Sequence, residues 1–387
     1  MVQSMPPTFS GILEALFGQI GSSNQQGDIL GSILQFVFIL MFAITMLYGQ
    51  RIQAFIMLRN IDASLRRLKV LRDNARRALI DTIRSFGDSG RDPTPEVDRL
   101  LEYFWIQPTN LDPYGIVAKI EHFMNLHDER LRAEVGALAP KADRAQVVNL
   151  ENLAEVGLAL NTIYRIVRHF YIFGKKTMSI FIIYQLEAQL PQIIQEAEAY
   201  ASGMQAFQLG QPIGDGAGSL LAAKFMYGAE KRLIAKDTLA SEVSFEGRRL
   251  IVLKAEGPGA NVGKIGEALT RVLEENMGRI SLVIMVDAGM KLEGEETGGV
   301  SEGIGAAIGG IGVDRFKIEE TATKFGVPVY AIIIKESLQD VIAPMKREIY
   351  AGVEEAVNRV RRLIRERTRE GESVVLVGVG NTIGIGQ

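Results

Sequence analysis

The chain of 387 residues contains no cysteine, three histidines and a single tryptophan. Without cysteine there is no disulfide scaffold, no thiol nucleophile, no iron–sulfur ligation and no cysteine zinc site. The histidines are His122, His127 and His169, so nothing beyond position 169 supplies imidazole for a Ser-His-Asp triad or a histidine metal site. No sign of charge is in excess. Forty-three Lys and Arg stand against 46 Asp and Glu, net −3, which disfavours a general nucleic-acid binder. A phosphate loop is also missing. Residues 257–264, GPGANVGK, end in Gly-Lys, but the glycine spacing is wrong and Ile265 stands where GxxxxGK[ST] needs a hydroxyl. No cofactor and no metal are therefore expected.

The first 50 residues lack Lys and Arg altogether. Within them, Ile29 to Gly49 is a 21-residue run free of charge. At about 1.5 Å per residue, a helix of that length just spans a hydrocarbon core of about 30 Å. It is too long for a secretory signal and lacks a basic leader. Residues 51–91 then carry ten Lys and Arg, so the positive-inside rule puts residues 1–28 outside and everything after Arg51 in the cytoplasm. The bilayer is thus an expected partner, its anionic headgroups facing the basic run of residues 50–90. Phe9 to Ile20 reads either as a short surface helix or as disordered chain. Met178 to Leu186 is apolar but too short for a second span, and Lys175 and Lys176 adjoin it.

From Ile61 the apolar positions Leu65, Leu68, Ala75, Leu79 and Phe86 follow at three- and four-residue steps or their multiples. Such a seam serves either an oligomerising coiled coil or packing within one domain, and a homo-oligomer is expected. After a turn-rich break at 87–95, residues 91–207 read as an all-helical domain, with Pro191 predicting a kink or boundary. Trp105, His122 and His127 read there as structural.

The character changes at 208–387. Near-continuous apolar runs at 249–255, 281–286, 327–334 and 374–379 predict strands buried on both faces. Helical patterns at about 262–277, 314–325 and 338–370 lie between them. The expected architecture is a three-layer α/β domain with a mainly parallel sheet.

Ligands bind beyond the carboxyl ends of parallel strands, and the loops there are rich in glycine. Gly257, Gly259 and Gly263 follow the first run, Lys291 and a long acidic glycine-rich loop follow the second, and Gly380 and Asn381 follow the last. Two aspartates are the candidate acids. Asp215 lies in PIGDGAGS (212–219) before an apolar helical stretch, and Asp287 ends the 281–286 strand. Singly, each also reads as a helix cap or a turn residue.

Together, Gly214-Asp215-x-x-Gly218, Val286-Asp287-Ala288 and the run Ile318 to Val329 resemble the superfamily of the spore germination protease and the hydrogenase maturation endopeptidases. The resemblance covers about residues 208–387. That superfamily opens with a strand ending in Gly-x-Gly-Asn, which occurs here as Gly378-Val-Gly-Asn381 near the other end of the chain, so a circular permutation is inferred. The resemblance implies that Asp215 and Asp287 are catalytic acids of an aspartic-type endopeptidase acting on a peptide or protein. The backbone around Gly216 and Gly218 or the 257–263 loop would hold the oxyanion, with Lys291 or Asn381 assisting. The chain departs from the pattern at Ser219, where a proline is common, and no histidine is present for nickel recognition. The whole chain is also similar to an archaeal family of single-pass membrane proteins of unknown function. Two readings without catalysis remain beside the peptidase: a ligand- or anion-binding regulatory module, and an oligomeric membrane scaffold.

Overall fold

The structure, a computed structural model, describes residues 28–87, 91–104, 106, 108, 115–277, 279–310 and 312–387, with the side chains of 28–30 and 45–47 left aside. The expectations for residues 1–27 and for Trp105 lie outside the described residues.

Among the described residues, five helices form the N-terminal part: α1 (Asp28–Phe86), α2 (Thr94–Leu101), α3 (Ile116–Leu138), α4 (Arg144–Thr177) and α5 (Ile180–Leu209). The seam behaves as packing within the chain. Ile61, Leu68, Ala75 and Leu79 are fully buried in one core with Leu153, Leu160, Ile183 and Leu190 from α4 and α5. That face is therefore occupied and not free to pair with a second copy. A capping box starts α4, the Asp143 side chain accepting from the Gln146 backbone while the Gln146 side chain accepts from the Asp143 N–H. Of the kink or boundary expected at Pro191, no boundary is found, since α5 runs through it from Ile180 to Leu209. Leu190 and Ala197, buried on either side of it, hold the helix in the core, where packing outweighs a lost hydrogen bond. The chain reverses instead at Met178, which adopts the left-handed conformation at φ 51°.

Of the expected span at 29–49, only a bent pair of segments is found. No single described helix is long and apolar enough to cross a membrane; only the segments Gly31–Ile44 and Tyr48–Phe86 together meet that measure, and they are bent by 59°. The straight apolar part, residues 31–44, reaches about 21 Å, short of a hydrocarbon core of about 30 Å.

In the C-terminal part a 3-10 turn (Gly214–Gly216) leads into α6 (Ala217–Met226). There follow β1 (Lys231–Ala235), β2 (Thr238–Phe245), β3 (Arg248–Ala255), α7 (Ile265–Glu275), β4 (Ile280–Met290), β5 (Val300–Ile304), α8 (Val313–Phe325), β6 (Val329–Glu336), α9 (Leu338–Ile342), α10 (Arg347–Arg367) and β7 (Ser373–Gly378). One seven-stranded sheet runs in the order β1-β2-β3-β7-β4-β6-β5. The expectation of a mainly parallel sheet is corrected to a mixed one. The central ladders β3–β7, β7–β4 and β4–β6 are parallel, but β1–β2, β2–β3 and β5–β6 are antiparallel. Leu282, Ile284 and Val286 pack under α6 and α10, while Val283 and Met285 pack against α7 and α8, so helices cover both faces. The helix expected over 338–370 is split at Pro344 into α9 and α10.

A network of charges joins the two parts. Arg132 on α3 donates to Glu151 at 2.7 Å and to Asp237 in the β1–β2 turn at 2.9 Å; Arg144 reaches Asp237 and Glu256. Burial alone would raise the Asp237 pKa, but Arg132 and then Arg144 overcome it and hold the carboxyl below its usual range. A folded-state pKa that is depressed contributes stability above the unfolded value and loses it as pH falls. Asp237→Asn keeps a residue tolerant of the observed φ of 50° and removes only the charge. It is expected to cost about 1–3 kcal/mol at about pH 7 and progressively less as pH falls through the folded-state pKa, measured by denaturant titration.

Candidate functional site

The site lies at the carboxyl ends of β7, β4 and β6, where the two glycine-rich ends of the C-terminal domain meet. Glycine at 218 lets α6 sit directly on the sheet, since a Cβ there would stand 2.1 Å from the Val286 carbonyl oxygen and 2.5 Å from that of Val379. The first turn of α6 and the preceding Asp215 are thereby fixed over the ends of β4 and β7. The C-terminal loop closes on the same place. The backbone N–H of Asn381 donates to Asp215 Oδ2 at 2.7 Å, and Ser219 Oγ donates to the Gly380 carbonyl at 2.7 Å. Gly384 packs against Gly210 and Pro212. Residues 378–384 and 210–216, at opposite ends of the domain's sequence, thus form one loop assembly.

Asp287 lies on β4 one residue beyond Val286, the partner of the last residue of β7, and is buried. Burial pushes its carboxyl pKa well up and the negative charge of Asp215 adds to the rise, against N–H bonds from Ala288 and Gly309. Asp215 is half-buried; burial raises its pKa too, opposed by the Asn381 N–H. The two aspartates named from the sequence therefore lie within electrostatic reach of each other.

A third carboxyl group, Glu336, was not singled out by the sequence. It ends β6 with no exposed surface, and neither carboxyl oxygen has a hydrogen-bond partner. It faces the Asp215 loop closely: a Cβ at Gly214 would stand 2.1 Å from Glu336 Oε2. Burial, then the charges of Asp215, Asp340 and Asp287, push its pKa to about 8. Next to it, Asp340 behaves in the opposite way. Burial works against its charge, but Lys346, Ser337 and Thr297 hold it ionised, with a pKa of about 2. Ser337 and Asp340 form the capping box of α9, so this carboxylate is engaged structurally.

The other expected residues divide. Gly380 belongs to the assembly, covering Asp215 at φ 111°. Asn381 belongs too, but its N–H holds the Asp215 carboxylate instead of a ligand. The Gly216 N–H is spent on the Ile213 carbonyl. Lys291 is displaced: its Nζ donates to the Glu295 carbonyl at 2.9 Å, while only its backbone N–H reaches the Glu336 carbonyl. Gly257, Gly259 and Gly263 serve packing. A Cβ at 257 would meet the Ile385 carbonyl at 1.9 Å, one at 259 would meet Ala145 of α4, and one at 263 would meet Thr238. Their loop is tied to α4 by the Asn149 side chain, which accepts from the Ala260 N–H. The 257–264 loop is thus a bridge between the two parts of the chain. A further buried group, Lys254 on β3, donates to the Ala255 carbonyl at 2.9 Å and has its pKa lowered to about 8 by burial, Glu256 opposing. Among the described residues no group of three or more His, Cys, Asp or Glu side chains has the arrangement of a metal site.

Two family descriptions match the chain in succession. Residues 35–210 match "Protein of unknown function (DUF1512) N-terminal domain", and residues 213–386 match "Domain of unknown function (DUF1512) C-terminal". No curated protein and no solved structure matches it.

Proposed function

The chain belongs to the DUF1512 family, and we propose that its C-terminal domain is a carboxylate-based hydrolase of peptide bonds, held at a membrane by the start of α1. The observation that carries the reading is the meeting of Asp215, Asp287 and Glu336 at the carboxyl ends of β4 and β6. Neighbouring carboxyl groups with low solvent access cannot all ionise, so protons are retained and the titrations are coupled. Asp215, the more accessible of the two aspartates and held by the Asn381 N–H, takes the role of base toward an attacking water. Asp287 keeps a proton and donates it to the scissile carbonyl. Glu336 is neutral at about pH 7 and adds no further negative charge. The adjoining of the Gly378–Asn381 loop to the Asp215 loop favours the permuted germination-protease arrangement.

The membrane reading draws on Gly31–Ile44, whose large apolar side chains are exposed around the helix, Phe36 at 67% and Phe42 at 61%. A helix apolar on every side is at home in lipid or in a core, and none of the described residues packs a core around it. The basic residues that follow favour the cytoplasmic side for the catalytic part.

The test is hydrolysis of unfolded casein by the full chain in detergent, from about pH 5 to pH 8. Asp215→Asn and Asp287→Asn are each expected to lower the rate by about 100-fold or more. Full activity in Asp215→Asn overturns the assignment of the base. A wild-type protein inert toward casein and toward a mixed peptide library overturns the hydrolase reading and leaves a binding module.

A further inference from the structure

The turn between α4 and α5 carries features that neither the core nor the carboxylate site uses. Phe170, Phe173, Met178, Phe181 and Tyr184 are exposed there, Phe181 at 72%. Around them the charge is of one sign. Residues 156–186 contain Arg165, Arg168, Lys175 and Lys176 and no Asp or Glu. All four cations are exposed, and none has an ion-pair partner among the described residues.

The position of this turn follows from its contacts with α1. Asn60 donates to Glu187 at 2.9 Å, Arg67 pairs with Glu198, and Gln208 donates to Thr82 at 2.9 Å. Numbers rise together along both helices, so α5 runs parallel to α1. Stepping back seven residues from Glu187 reaches Ile180, and seven from Asn60 reaches position 53, about 10 Å nearer the apolar end. On the antiparallel α4, the Arg72 guanidinium lies 4.2 Å from the Tyr164 ring centroid, which puts Thr177 near position 59. The turn therefore sits level with α1 residues in the fifties, just past the apolar segment. At that level α1 itself exposes Ile52, Phe55 and Ile56, and between Asp28 and Asp62 its only charges are Arg51 and Arg59.

We propose that the α4–α5 turn is a second membrane-contact element, which seats the helical domain on an anionic bilayer surface beside the point where α1 leaves it. Aromatic side chains flanked by lysines and arginines suit the boundary between headgroups and acyl chains: the rings enter the apolar side and the cations meet lipid phosphates. The turn and these exposed α1 residues stand at one level along the helices, just past the apolar segment, so one bilayer surface can meet both. The proposal rests on the membrane reading of residues 29–49, and its test separates the two.

The absence of native cysteine allows single labelled sites. Phe181→Cys, Leu209→Cys at the far end of α5, and Phe38→Cys are each labelled with an environment-sensitive fluorophore in the full chain. Each protein is reconstituted in vesicles of phosphatidylcholine and phosphatidylglycerol containing a brominated lipid. The expected result is blue-shifted, bromine-quenched emission at 181 and 38, with water-like emission at 209. Adding Lys175→Glu and Lys176→Glu is expected to weaken the docked state about tenfold, and to leave the label at 38 unchanged. Water-like emission at 181 beside quenching at 38 overturns the proposal and spares the anchor. Quenching at 181 without quenching at 38 upholds the contact and overturns the anchor. Water-like emission at both overturns both.

Discussion

Glu336→Gln is expected to match the parent protein in stability near pH 4.5 and to exceed it by about 4 kcal/mol near pH 8. The glutamate is wholly buried, its two oxygens are without partners, and its pKa rises from 4.5 to about 8. Below about 4.5 the side chain is a neutral acid in both the folded and the unfolded chain, so the amide and the acid are alike in charge and in their unmet hydrogen bonds. Above that pH the unfolded chain releases the proton while the folded one keeps it. The folded state then binds more protons, and stability falls by about 1.4 kcal/mol per pH unit until the folded group also ionises. Glutamine has no proton to lose and escapes this decline. The groups facing position 336 are Asp215, Asp287 and Asp340. Asp287 is raised as well and gives both proteins a falling curve, whereas Asp340 stays ionised over the range and contributes no difference. Denaturant titrations of the C-terminal transition at the two pH values measure the effect. Parallel pH dependence of the two proteins would mean that Glu336 is not held protonated.

Glu336 also shows where sequence reasoning stops. Its strand was legible from the apolar run at 327–334, and so were the strand that carries Asp287 and the one that leads to Asn381, because segments buried on both faces need continuous apolar side chains. A lone glutamate just past such a run looks like any solvated strand end. Only the fold brings it against Gly214, 122 positions earlier in the chain. The three antiparallel strands were missed for a related reason. β1 and β5 are only five residues long, β2 leaves Glu242 and Ser244 exposed in its second half, and Val300–Ile304 has no buried residue. Glu246 and Gly247, both at positive φ, are the strongest local sign of the β2–β3 hairpin, but Glu-Gly is a weak version of the usual Asn-Gly signal. The two aspartates were legible because each sits in a short glycine-marked motif. Gly257, Gly259 and Gly263 carry the same mark for a different reason, the close approach of the C-terminal tail and α4. Glycine density marks crowded backbone, and whether a ligand or another segment does the crowding is decided by tertiary structure.

Gly380→Ala is expected to destabilise the C-terminal domain by about 3–5 kcal/mol, because two separate penalties meet at one residue. Gly380 has φ 111°, a conformation that costs an L side chain about 1–3 kcal/mol. A Cβ there would also stand 1.8 Å from the Asp215 carbonyl oxygen. That oxygen belongs to the turn fixed beneath α6, so it cannot swing aside as the tip of a flexible side chain would, and overpacking of this kind costs about 1–3 kcal/mol more. Gly386→Ala is the matched control: a Cβ at 386 meets nothing within 4 Å, and its change should stay within about 0.5 kcal/mol. Denaturant titration of the two variants reads the difference. The same substitution bears on chemistry, because residue 381, next in the chain, supplies the N–H that holds the Asp215 carboxylate. Pushing the loops apart removes that bond, and the ionised form of Asp215 loses its nearest support while burial still opposes it. Hydrolysis by the fraction of Gly380→Ala that remains folded should therefore fall, with its pH profile moved to higher pH. A variant as stable as the parent, or one with an unmoved profile, would show that the C-terminal loop does not clasp Asp215.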